Sequence, residues 1–264
     1  MRRVLVVGGG RMGSALLGGL LRAGWAAPGE CAVLERRPEA RSALAARFAG
    51  VAVVEAPVAA EAAVLAVKPD DARGACALVR SGGYRRVLSV VAGVRLATLE
   101  AWLGPQTAVV RAMPNTPALV GASASVVAGG SAATEEDLAW AEEVLSAIGV
   151  VVRLDERLVD AATGLSGSGP AYLFLVAEAL IDAGVLAGLD RDVARTLALQ
   201  TILGAGRLLT ESGESPEALR AAVTSPGGTT AAALRVLEER SVRSAFLEAV
   251  LAAARRAEEL GGAG

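Results

Sequence analysis

The stretch VLVVGGGRMG, residues 4–13, decides the fold. Four apolar residues, three of them β-branched, run straight into G-x-G-x-x-G, and SALLGGLLRA continues at once with a helical pattern. In a strand–turn–helix of this kind each glycine has a task. Gly8 permits the tight turn, Gly10 lets backbone approach a pyrophosphate, and Gly13 lets the helix lie close to the strand. Gly9, Arg11 and Met12 fill the turn between them and share in the same phosphate cradle. The pyrophosphate is expected on the free N–H groups at the positive end of the helix.

Working outward, the same alternation recurs. Strands are expected at Val4–Val7, Ala32–Glu35, Val51–Val54, Ala63–Val67, Val87–Val91, Ala108–Ala112 and Val150–Leu154. Helices fall between them at Met12–Ala23, Glu39–Phe48, Asp71–Val79, Leu96–Leu103 and Glu135–Ile148. Near-continuously apolar strands separated by helices indicate a mostly parallel sheet covered on both faces. After about Asp155 no strand-like run returns, and five helical stretches between Ala171 and Glu259 follow. The expected fold is therefore an α/β Rossmann-like domain over residues 1–155 and an all-α dimerisation domain over 156–264. The stretch YLFLVAEALIDAGVLAGL, residues 172–189, is apolar nearly all round, the mark of a buried helix. Either a partner subunit covers it, or it is the central helix of a monomeric bundle.

Composition narrows the function. Hydrophobic residues make up 53% of 264, enough for a large core, and the net charge of −2 offers nucleic acid nothing. Two long uncharged runs invite a membrane reading. The prolines and glycines in 112–134, and Gly164, Gly167, Gly169 and Pro170 in 161–177, are expected to interrupt them. Neither then offers the roughly 20 unbroken apolar residues of a spanning helix. Cys31 and Cys76 stand alone in apolar surroundings, and there is no histidine, so a metal site is not expected and a reducing cytoplasm is. Lys68 is the only lysine and Asn115 the only asparagine.

Both fall in candidate site segments. Ala66-Val67-Lys68-Pro69 ends the fourth strand at the carboxyl edge, where doubly wound sheets bind ligands. Asn115, after the sixth strand, either bonds the cofactor or holds its own turn. Glu35 closes the second strand where an acid holds the ribose of NAD, while Arg36 and Arg37 follow where a 2′-phosphate of NADP would lie. The two arginines tip the choice to NADP(H), with NAD(H) still open. In the helical half, Ser225-Pro226-Gly227-Gly228-Thr229-Thr230 opens a helix with no Glu or Gln to complete a capping box. That end is either free for an external anion such as a carboxylate or an ordinary helix start.

Several segments together resemble the Δ1-pyrroline-5-carboxylate reductase family. They are GGGRMGSALLGGL (8–20), AVKP (66–69), VAGV (91–94), RAMPNTPALV (111–120), TGLSGSGPAY (163–172) and PEALRAAVTSPGGTTAAALRVLEE (216–239). The resemblance spans essentially the whole chain. It implies hydride transfer from NADPH to the cyclic imine, giving L-proline, and helical domains that interlock in a dimer able to build a decamer. It adds Ala92 and Gly93 to the cofactor contacts. It places the substrate at Val223, Ser225, Gly228, Thr229 and Thr230, with Glu156 close by and the Thr230 hydroxyl on the ring nitrogen as the catalytic contact. The chain departs from the family at Ala56-Pro57, where an Asn often touches the cofactor, and at acidic Glu35.

Two other readings compete. A β-hydroxyacid-type dehydrogenase shares the two-domain plan but uses a lysine early in the helical half, and this chain has none after Lys68. A non-catalytic NADP(H)-sensing regulator would have no use for the SPGGTT loop.

Overall fold

In the computed structural model, which describes residues 2–262, the apolar runs form one eight-stranded sheet. The first half of the chain alternates strictly: β1 (Arg2–Val7), α1 (Arg11–Arg22), β2 (Cys31–Leu34), α2 (Pro38–Arg47), β3 (Ala52–Val54), β4 (Ala60–Leu65), α3 (Ala72–Ser81), β5 (Arg86–Ser89), α4 (Leu96–Leu103), β6 (Ala108–Met113). Strands β7 (Ser123–Gly129) and β8 (Gly149–Arg153) flank α5 (Glu135–Ser146). The spatial order is β3-β2-β1-β4-β5-β6-β7-β8. All neighbours are parallel except β6 and β7.

Alternation along β1 builds a core on each face. Val4 and Val6 point to α1, where Leu16, Leu17 and Leu20 are fully buried. Leu5 and Val7 point the other way, towards Ala75, Cys76 and Val79 of α3. Each such aliphatic side chain contributes on the order of 1.5–3 kcal/mol on burial. Chain order reverses between β1 and β4, and there the carboxyl ends of the strands open a crevice.

Strand β7 is not expected from the sequence, because SASVVAG offers only two adjacent β-branched residues. Its serines are buried and satisfied. The Asn115 N–H donates to Ser123 Oγ at 3.2 Å, and the Ser123 and Ser125 hydroxyls share a hydrogen bond of 3.0 Å.

The expected interruption at residues 164–170 is also corrected. Helical turns run continuously over Glu156–Leu186, 31 residues long and apolar enough to cross a bilayer by length and composition. The run comprises a turn at Glu156–Leu158, α6 (Val159–Ala162), a wide π-turn at Thr163–Gly167 and α7 (Gly169–Leu186). The π-turn absorbs the glycines. The Ser166 carbonyl lies four residues before Pro170, whose ring nitrogen has no hydrogen to give it. Asn115 Nδ2 donates to that oxygen at 2.9 Å.

Compact packing divides the chain after Ser168, later than 155/156, because the turns from Glu156 to Gly167 pack on β7. The sheet-bearing unit also takes back the chain from Leu251 onward. The second unit, Gly169–Val250, holds α7, α8 (Arg191–Glu211), α9 (Pro216–Ala222), α10 (Thr229–Glu239) and the first part of α11 (Val242–Gly262). Helices α7 and α8 pack along each other. Yet the buried residues of α7–α11 are only Pro170, Ala194 and Ala198.

Candidate cofactor and substrate sites

The crevice at the β1–β4 switch holds a cavity of about 370 Å³. Among its walls are Gly8, Gly10, Glu35, Arg36, Arg37, Ala66, Val67 and Lys68. Gly8 sits at φ +102°, and a Cβ there would press on the Ala66 carbonyl oxygen at 2.6 Å, so both backbone shape and space demand glycine. Gly13 is buried against the Gly8 carbonyl, the close helix–strand approach expected of it. Gly10 differs: a Cβ there would meet nothing within 4 Å. It is the N-cap of α1, makes no side-chain cap bond, and is followed by no acid in the first turn. Free N–H groups, a positive helix end and open space coincide, which suits a pyrophosphate.

The far end of the cavity is lined by charge. Glu35 is 8% exposed, and its carboxylate accepts the Gly9 N–H at 3.3 Å, the Arg37 N–H at 3.1 Å and Arg37 Nε at 3.3 Å. Burial pulls the Glu35 pKa up, but the bonds from Arg37 and Gly9 outweigh it and hold the carboxyl below its ordinary value. Glu35 is therefore ionised and turned onto the glycine loop. Arg36 is ion-paired with Asp71 from the start of α3. Gly9 thus faces Glu35 and Leu44, and Arg11, Met12, Gly13, Pro69, Ala92, Gly93 and Asn115 do not line the cavity.

The Asn115 amide is engaged in its own turn. It is 8% exposed; its Oδ1 accepts the Ala124 N–H at 3.0 Å while Nδ2 serves Ser166. Gly93, at φ +73°, turns the loop between β5 and α4 beside Leu260. Glu156 belongs to another cluster. Its Oε1 accepts from Arg111 Nη1 at 2.9 Å and from the Leu96 N–H at 2.7 Å, and Asp160 lies 3.6 Å from Arg111 Nη2. Arg111 is buried, 4% exposed, so this pair fixes Glu156 to β6 and the start of α4.

Sequence reading missed Leu34, Asp71, Gly74, Ala75 and Leu78 as cavity residues. Leu34 simply ends β2, while Asp71, Gly74, Ala75 and Leu78 follow AVKP at helical spacing on one face, which was the signal available for those four.

Within the second unit, Val223 to Gly228 form a largely exposed loop closed by Gly228 N–H donating to the Ser225 carbonyl at 3.0 Å. Gly227 has φ +70°. Gly228 is the N-cap of α10, without a side-chain cap bond, and Thr229 and Thr230 are the first two helical residues. Thr230 is thus no cap. It is half-buried, and its hydroxyl has no hydrogen bond among the described residues.

Comparisons with known proteins cover both halves of the chain. Residues 156–260 match the family profile described as pyrroline-5-carboxylate reductase dimerisation. Residues 3–93 match the one described as NADP oxidoreductase, coenzyme F420-dependent. The chain is 45% identical to a pyrroline-5-carboxylate reductase of Synechocystis, covering 97% of each chain. The Arabidopsis thaliana protein of that name is 40% identical, over 98% of this chain and 95% of the relative. Among solved structures, that of a Coxiella burnetii pyrroline-5-carboxylate reductase superposes with a TM-score of 0.92 at 35% identity, covering 98% of both chains. The Plasmodium falciparum pyrroline carboxylate reductase with NADP bound gives 0.86 at 29% identity, again over 98% of both. With a fold, a glycine cradle and a full-length likeness in agreement, the chain belongs to the pyrroline-5-carboxylate reductase family.

Proposed function

We propose that this protein reduces Δ1-pyrroline-5-carboxylate to L-proline with NADPH as hydride donor. The observation that carries the reading is the full-length family match joined to an intact phosphate cradle at the β1–β4 switch. The coenzyme, when bound, supplies the hydride. Gly8 to Gly13 hold its pyrophosphate, Arg36 and Arg37 its 2′-phosphate, and Ala66 to Pro69 with Ala92 and Gly93 its nicotinamide half. Asn115 contributes by keeping its turn.

On the substrate side, the open N-terminus of α10, from Ser225 to Thr230, receives the carboxylate, and Val223 and Thr229 add backbone contacts. The Thr230 hydroxyl, without a hydrogen bond among the described residues, bonds the ring nitrogen and orients its proton. Glu156, ionically fixed by Arg111, stands near the ring. A protonated imine is already electrophilic, so positioning dominates and a strong general acid is not required. Residues 1–155 thus bind coenzyme, while 156–264 bind substrate and self-associate as a dimer able to build a decamer. Neither nucleic acid nor a membrane is a partner on this reading. Buried, unpaired Cys31 and Cys76, each with its pKa pushed up to about 11 by burial, suit the cytoplasm. The direct test is NADPH oxidation followed spectrophotometrically with pyrroline-5-carboxylate, and proline identified as product. Absence of turnover in the assembled protein would overturn the proposal.

A further inference from the structure

We infer that Asp71 sets how strongly this protein prefers a coenzyme bearing a 2′-phosphate, by competing with that phosphate for Arg36. The inference rests on the assignment of Arg36 to the 2′-phosphate. Both arginines on the cavity walls are paired with acids, whereas Lys68 has no ion pair among the described residues. Arg37 is held by Glu35 from its own strand end. Arg36 is held by Asp71, which reaches across the mouth from the turn after Lys68. The Arg36–Asp71 pair therefore links the β2–α2 loop to the β4–α3 loop. A phosphate arriving at this guanidinium must displace the carboxylate or share the guanidinium with it.

Both side chains are largely solvent-exposed, 67% for Arg36 and 41% for Asp71, so the pair is weak and a phosphate can displace the carboxylate. Once displaced, Asp71 remains beside the bound phosphate as a like charge in a cleft where screening is incomplete. That cost falls only on the phosphorylated coenzyme, because the 2′-hydroxyl of NADH is neutral. Glu35 cannot play the same part. Its carboxylate is committed to the Gly9 and Arg37 N–H groups, so its removal disturbs the pyrophosphate turn as well. Asp71 makes no backbone bond of this kind, which leaves it as the residue through which preference is adjusted without altering the cradle.

The test uses Asp71→Asn, which keeps shape and removes charge, in the full-length protein. Calorimetric titration with adenosine 2′,5′-bisphosphate and with adenosine 5′-monophosphate reads the effect without turnover. The bisphosphate is expected to bind roughly three- to tenfold tighter to Asp71→Asn at low ionic strength, with the monophosphate within about twofold. The gain should shrink at high salt and vanish in an Asp71→Asn/Arg36→Ala double variant. The NADPH Michaelis constant should fall in parallel, with that for NADH unchanged. Equal tightening of both nucleotides, or no change for either while Arg36→Ala still weakens the bisphosphate selectively, would overturn the role of Asp71. If Arg36→Ala weakens both nucleotides alike, Arg36 leaves the phosphate site and the inference goes with it.

Discussion

The two units of this chain bury their apolar residues in different ways. In the sheet unit, β1, β2, β4 and β5 are covered on both faces, and Leu5, Leu16, Leu65 and Leu88 have no exposure at all. In the helical unit, Phe174 and Leu175 are 62% and 66% exposed, and Leu173, Leu197, Leu203 and Leu247 are open as well. The first unit completes its core within one chain. The second is written for a core that one chain does not contain, which accords with its dimerisation profile. An apolar helix therefore means opposite things in the two halves: a buried interior in one, a subunit interface in the other.

Breaking the interface should produce the largest effect. Leu175→Arg places a charge on the exposed apolar face of α7, and we expect sedimentation to show monomer and turnover to fall to background. A stable, fully active monomer at micromolar concentration would remove the contrast altogether.

Next in size, Thr230→Ala should lower turnover about 10- to 100-fold, the loss of about 1–3 kcal/mol from one hydrogen bond to a reacting group. NADPH binding should be unchanged. Because Gly228 and not Thr230 is the N-cap of α10, the melting temperature should hardly move, and Thr230→Ser should keep most activity. A lowered melting temperature with normal turnover would return Thr230 to a purely structural role.

A third variant probes the seam of the sheet unit. Asn115→Ala deprives the Ser166 carbonyl and the Ala124 N–H of their side-chain partner, and about 2–3 kcal/mol of stability should go with them. Pro170→Ala, which restores a helical N–H, should cost less in that background than alone. Strict additivity in denaturant melts would show that the two positions are uncoupled.

The smallest effect is pH-dependent. Asp137 closes the capping box of α5 with Thr134 and is bonded by Arg86 Nε at 2.6 Å. Burial raises its pKa, but the bonds from Thr134 and Arg86 prevail and the net shift is downward. A depressed pKa means stability that is present above the ordinary aspartate value and lost as pH falls through the lower, folded-state one. Asp137→Asn should cost about 1 kcal/mol at neutral pH and flatten this part of the acid limb of the stability curve. An acid limb as steep as that of the parent would discount the residue.

Legibility in the sequence follows the same contrast. Elements whose apolar period and glycines act locally were readable: the β1–α1 turn, each parallel strand, the start of α10. What escaped depended on partners distant in the chain. Strand β7 hides because its buried serines are satisfied by each other and by the Asn115 N–H. The helical run through Gly164 and Pro170 looks broken until the Ser166 carbonyl finds an amide from 51 residues away. Asp71 reads as an ordinary loop acid until β2 and β4 bring it to Arg36. Of the site, the cradle and its arginines were visible in the motif, whereas the Glu35 carboxylate's turn onto Gly9 and Arg37 needed three dimensions.

The open apolar side chains of α7 also govern how the protein comes into being. The strands of the sheet unit leave the ribosome first and can pair by unimolecular steps, while the helices that follow carry apolar faces suited to a second chain. Assembly is then second order in protein, so the lifetime of the adhesive, half-finished species grows as synthesis slows. Dilution, which spares a self-sufficient monomer, would then leave these faces uncovered.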